Sequence, residues 1–129
     1  EINKILKALK KRSIFLPVSA PFHCSLMKTA ADKMEKKIKS ITFKKPHTSL
    51  VANVTSKEVQ EPEEIKNLLV KQIASRVRWR ESVLYMTQNG VNEFIEIGPG
   101  KVLSGLVKRI SDKVSSKSIN TIEEIKGLK

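Results

Sequence analysis

The sequence predicts an α/β fold with a mainly parallel sheet, and three observations carry that expectation. Short apolar runs near 14–18, 49–54 and 94–97 alternate with segments whose apolar residues recur at helical spacing. Turn signals such as Lys44-Lys45-Pro46, Asn89-Gly90 and Gly98-Pro99-Gly100 fall between them. With 129 residues, 40% of them hydrophobic, the chain is long enough for one domain with its own core and is not disordered by composition. Strands and helices in alternation favour parallel pairing through helical crossovers.

Ile2, Ile5, Leu6 and Leu9 predict a first helix over 2–11, with lysines between the apolar positions. Residues 14–18 read as a buried strand. Met27, Ala30, Ala31, Met34 and Ile38 line one face of a helix over 25–40, for which Ser25 is a suitable N-cap. Residues 49–54 form a short strand, followed by a polar stretch around Ser56-Lys57. Glu61-Pro62-Glu63-Glu64 opens the next helix: proline suits a first turn, and acids favour its positive end. The apolar face of that helix is Ile65, Leu68, Leu69 and Ile73. Trp79, Val83 and Met86 mark a further helix, stopped by Asn89-Gly90. A strand over 94–97 leads through Gly98-Pro99-Gly100 into a helix with Val102, Leu103, Leu106, Val107 and Ile110 inward. A weak strand near 114–119 and a short helix from Thr121 complete the chain.

Two positions stand out. His23 follows the apolar 14–18 run and lies just ahead of a predicted helix N-terminus, in a segment stiffened by Pro21. The C-terminal edge of strands is where α/β folds bind ligands, so His23 is either a catalytic base or a solvated loop histidine. Gln72 lies on the apolar face seven residues after Ile65. A polar amide there either finds a partner or lines a cavity, or else it sits at the edge of the stripe with its head in water.

Other signals exclude more than they assign. The single cysteine, Cys24, rules out an internal disulfide framework and fits a reducing cytoplasm. No apolar run approaches a membrane span, and residues 1–12 are charged rather than leader-like. A cytoplasmic location without membrane attachment is therefore expected. His23, His47 and Cys24 give no metal-ligand spacing, and no metal is expected. The Gly98–Lys101 turn fails both the P-loop and the dinucleotide patterns and reads as a structural turn. Cys24 beside His23 is not a ready nucleophile–base pair, because adjacent side chains diverge. No Gly-x-Ser-x-Gly occurs, and the residues supply no evident acidic partner for His23.

The charge is uneven. Lys and Arg total 25 against 13 Asp and Glu, a formal net charge of +12, with the excess concentrated before residue 45. Such a field attracts polyanions, although lysines on solvated faces account for most of it. With one Trp and one Tyr, no base-stacking platform is apparent, so nucleic acid is not the expected partner.

Leu16-Pro17-Val18-Ser19-Ala20-Pro21-Phe22-His23-Cys24-Ser25-Leu26-Met27 resembles the histidine motif of the malonyl-CoA:acyl carrier protein transacylases of fatty-acid synthesis. Three further segments agree, in order: Val51–Val54, Leu69–Ile73 leading to Val77–Trp79, and Glu96–Leu103 followed by Gly105–Ile110. The resemblance spans essentially the whole chain but only the C-terminal part of the family's usual length. It implies that residues 1–16 are the last helix and strand of an inserted ferredoxin-like small subdomain. Residues 17–129 are then the C-terminal portion of an α/β-hydrolase-like large subdomain.

The chemistry it implies is ping-pong malonyl transfer, with no cofactor. An elbow serine takes malonyl from coenzyme A, and the phosphopantetheine thiol of acyl carrier protein takes it on. By position His23 matches the base, and Gln72 matches the residue whose main-chain carbonyl holds the histidine ring. Phe22 matches a substrate-binding position that selects malonyl over methylmalonyl. The serine, the arginine for the malonyl carboxylate and the oxyanion-hole amides belong to a segment this chain lacks. It is thus expected to be inactive alone, as a fragment or as one of two complementing chains, with an exposed sheet edge that favours association. The implied partners are acyl carrier protein, a coenzyme A thioester and that N-terminal segment. The competing expectations are a small basic protein that binds RNA or another polyanion, and an inactive remnant.

Overall fold

The computed structural model describes residues 1–14 and 18–128. The helices are α1 (Ile2–Ala8), α2 (Lys28–Lys39), α3 (Pro62–Ile73), α4 (Trp79–Gln88), α5 (Val102–Ile110) and α6 (Ile122–Lys126). The strands are β1 (Leu50–Ala52), β2 (Lys57–Val59), β3 (Glu93–Ile97) and β4 (Ser115–Ile119). The architecture is mixed α/β.

The strands do not form the single, mainly parallel sheet expected from their alternation with helices. Among the described residues they make two separate pairs: β1 with β2 antiparallel, and β3 with β4 parallel. The polar stretch after β1 accounts for the antiparallel pair. Its turn closes through Ser56 N–H donating to Ala52 O at 2.8 Å, with Ser56 in the left-handed region at φ 57°. The chain therefore returns at once, and Lys57–Val59 pairs with Leu50–Ala52 instead of staying irregular.

β3, α5 and β4 form a strand–helix–strand unit, in register from Glu93 opposite Ser115 to Ile97 opposite Ile119. α5 covers this pair and packs on α4, so the tightest part of the core is Val83, Val107 and the small Ser82. A second cluster of Ala52, Val59 and Ile65, with Phe43 and Leu68 against it, joins the hairpin to α3. α2 packs on α3 and buries Ala31 and Ile38. Arg78 ties the two halves of the chain: its N–H donates to Asn53 O at 2.9 Å, and its carbonyl accepts from Ser56 Oγ at 3.4 Å.

The N-terminal segment differs from its pattern. α1 buries no residue: Ile2, Ile5 and Leu9 are exposed and Leu6 is half-buried. Of the predicted strand 14–18, residues 15–17 lie outside the described residues; Ile14 and Val18 carry no strand. α2 begins at Lys28, after one 3-10 turn over Ser25–Met27. Ser25 is thus inside that turn and not its N-cap; Cys24 takes that position in extended backbone, without a side-chain cap.

Candidate active site

The loop before α2 is shaped by short local bonds. Phe22 N–H donates to Ala20 O at 2.9 Å, Cys24 Sγ donates to Pro21 O at 3.1 Å, and Met27 N–H donates to Cys24 O at 3.0 Å. Between them His23 adopts φ 58°, a left-handed conformation in which histidine is enriched among non-glycine residues. A residue held there costs about 1–3 kcal/mol. That backbone turn sends the imidazole out of the loop and across to α3.

There Nδ1 of His23 meets the main-chain oxygen of Gln72 at 3.1 Å. A carbonyl only accepts, so the bond assigns the hydrogen to Nδ1 and leaves the Nε2 lone pair free. Gln72 is the penultimate residue of α3, where carbonyls lack helical i+4 partners and the helix carries partial negative charge. The ring is therefore oriented by an acceptor with no formal charge, and an imidazolium formed on it is favoured by the helix end. The Gln72 side chain is half-buried. Its Nε2 donates to Ser75 O at 3.0 Å, and Oε1 is buried without a partner among the described residues.

Gln72 also lines a cleft of about 380 Å³ between α3 and the β1–β2 hairpin, walled by Phe43, Leu50, Val54, Leu68 and Leu69 among others. Phe22 and His23 are not in its wall. Phe22, next to His23, is 55% exposed. The structure thus brings His23 and Gln72 together and leaves Phe22 on the loop surface. His47 is exposed elsewhere. No group of three or more His, Cys, Asp or Glu placed to hold a metal occurs among the described residues. No helix of the described residues is long and apolar enough to cross a membrane.

The glycine turn before α5 is already satisfied by the chain itself. Gly98 and Gly100 take φ 140° and 98°, which a side chain would resist. Glu96 reaches over from β3 and accepts from Ser104 N–H at 2.8 Å and Leu103 N–H at 3.1 Å, and Asn120 Oδ1 accepts from Gly100 N–H at 2.7 Å. The Ser104 amide, opposed by desolvation and aided by the Leu103 amide, holds the Glu96 carboxyl below its usual range. These donors are not free for an external anion. Sequence reasoning missed Glu96 as a cap because it sits on a strand, outside any helix-start pattern.

Comparison with known proteins gives a consistent result. The chain is 46% identical over 110 residues to the malonyl CoA-acyl carrier protein transacylase of Escherichia coli K12, covering 85% of this chain and 36% of that one. It is 41% identical over 115 residues to the Bacillus subtilis protein of that name, covering 89% of this chain and 36% of that one. Among solved structures, it matches the acyl-carrier-protein-S-malonyltransferase of Bartonella henselae with TM-score 0.86 and 40% identity, over 98% of this chain and 41% of that one. It also matches, with TM-score 0.86 and 42% identity over 97% of this chain and 41% of that one, a structure of a type II PKS acyl-carrier protein in complex with its malonyl-transacylase. No family model matches. The chain belongs to the family of malonyl CoA-acyl carrier protein transacylases, which are acyltransferases, and spans about a third of the length of the curated relatives it matches.

Proposed function

We propose that this chain supplies the general base for malonyl transfer from coenzyme A to acyl carrier protein in fatty-acid biosynthesis. The observation that carries the reading is the 3.1 Å bond from His23 Nδ1 to Gln72 O. With Nδ1 protonated, Nε2 takes the proton of a serine hydroxyl as that oxygen attacks the malonyl thioester carbonyl. The imidazolium then returns the proton to the departing coenzyme A sulfur. In the second half, Nε2 takes the proton of the carrier protein's phosphopantetheine thiol, whose sulfur attacks the malonyl-serine ester, and the serine oxygen leaves with that proton. Gln72 O favours each imidazolium without placing a formal negative charge near the malonyl carboxylate. Phe22 narrows the acyl site against an α-methyl group.

The serine lies outside these 129 residues, since no Gly-x-Ser-x-Gly is present. This chain by itself turns nothing over; the residues that complete the site are supplied by further sequence of the same enzyme. The formal net charge of +12 supports docking of an acidic carrier protein and of coenzyme A phosphates.

Complementation tests the reading. The chain is mixed with, or joined to, an N-terminal segment that carries the elbow serine, and malonyl transfer from coenzyme A to acyl carrier protein is assayed. Transfer that appears only with both parts, and disappears with His23→Ala, supports it. Equal transfer with His23→Ala overturns it.

A further inference from the structure

We infer that the side chain of Gln72, and not only its carbonyl, fixes the tautomer of His23, by locking the turn that carries that carbonyl. The inference rests on reading His23 as a base whose Nε2 must stay unprotonated. A main-chain oxygen is common to every residue, so the acceptor at 3.1 Å does not itself require glutamine at this position. Nor does packing require it. Gln72 lines the cleft together with Ile65, Leu68 and Leu69, apolar side chains that offer its amide no partner.

What the amide adds is a second tie across the end of α3. Ser75 N–H donates to Gln72 O at 3.3 Å, and Gln72 Nε2 donates back to Ser75 O at 3.0 Å. Residues 72 and 75 are bonded in both directions, which restrains the tilt of the Gln72 carbonyl just where helical bonding ends. The other end of the amide, Oε1, is buried with no partner among the described residues. An amide kept in an apolar wall with its acceptor end unmet is accounted for by its donor end. Gln72 is therefore a positioning residue twice over: its oxygen orients the imidazole, and its side chain orients the oxygen. With the tie broken, the carbonyl swings, the exposed ring loses its acceptor, and the proton redistributes to Nε2.

The test reads the ring directly. Long-range ¹H–¹⁵N spectra of the ¹⁵N-labelled chain in a His47→Gln background, at a pH well above the ordinary imidazole value, report which nitrogen of His23 carries the hydrogen. The expected result is an Nδ1–H signature in the parent and in Ser75→Ala, which keeps both main-chain groups. Gln72→Met and the isosteric Gln72→Glu, neither able to donate to Ser75 O, are expected to shift the population toward Nε2–H. Amide spectra establish which variants are folded. A folded Gln72→Met or Gln72→Glu chain that retains the parent's Nδ1–H signature overturns the inference. Failure of the transacylase reading shows separately, in the complementation assay, and does not alter this spectrum.

Discussion

The carboxylate of Glu96, on β3, accepts the amide hydrogens of Leu103 and Ser104 in the first turn of α5. It closes the positive end of a helix that begins only after an intervening glycine turn. Those amides hold the carboxyl below its usual value, so the contribution is complete above the ordinary glutamate value of 4.5 and is lost as the pH falls through the lower folded one. Glu96→Gln is therefore expected to lower the thermal midpoint of the chain at pH 7, and the gap between parent and variant is expected to narrow as the pH is taken down from 4.5 through the lower folded value. A gap that stays constant over that descent contradicts this account.

Val83 is fully buried where α4 meets α5. Val83→Ala removes two methyl groups from that contact and is expected to cost about 2 kcal/mol, from the cost of smaller core truncations. Ile2→Ala, on the exposed face of α1, is expected to stay within about 0.5 kcal/mol. Urea midpoints of the 129-residue chain measure both.

In the assembled transacylase, His23→Ala is expected to lower kcat by about 10²–10⁴-fold, the usual share of a positioned base. KM for malonyl-CoA should change far less, because the ring acts on protons and not on the substrate's binding groups. A fall confined to KM points to a binding role instead.

Phe22 is the proposed barrier to an α-methyl group. Replacing it with serine in the assembled enzyme is expected to raise the ratio of methylmalonyl to malonyl efficiency by about 10–200-fold, the range available to one methylene. A parent enzyme that uses both thioesters with comparable kcat/KM refutes the assignment.

Much of this molecule is written in short stretches of sequence. Pro62 with Glu63 and Glu64 starts α3, and Asn89-Gly90 ends α4. Thr121 with Glu124 makes a reciprocal cap on α6. Each signal acts within a turn or two of the chain, so hydrogen bonding among near neighbours decides it. The histidine-bearing loop is legible for the same reason: Pro21 and the residues around it restrict their own backbone.

Pairing and distant contacts are different, because they depend on which surfaces meet. Lys57–Val59 becomes a strand only because β1 lies beside it, and α1 carries an apolar stripe yet buries no residue. Glu96 finds its helix across a turn, and the His23 ring finds one carbonyl 49 positions later in the chain. Sequence alone determined that an imidazole would stand at the mouth of a loop. The family resemblance pointed to the Gln72 carbonyl as its holder, but no spacing along the chain could put the two 3.1 Å apart: that bond spans 49 positions and forms where α2 packs on α3.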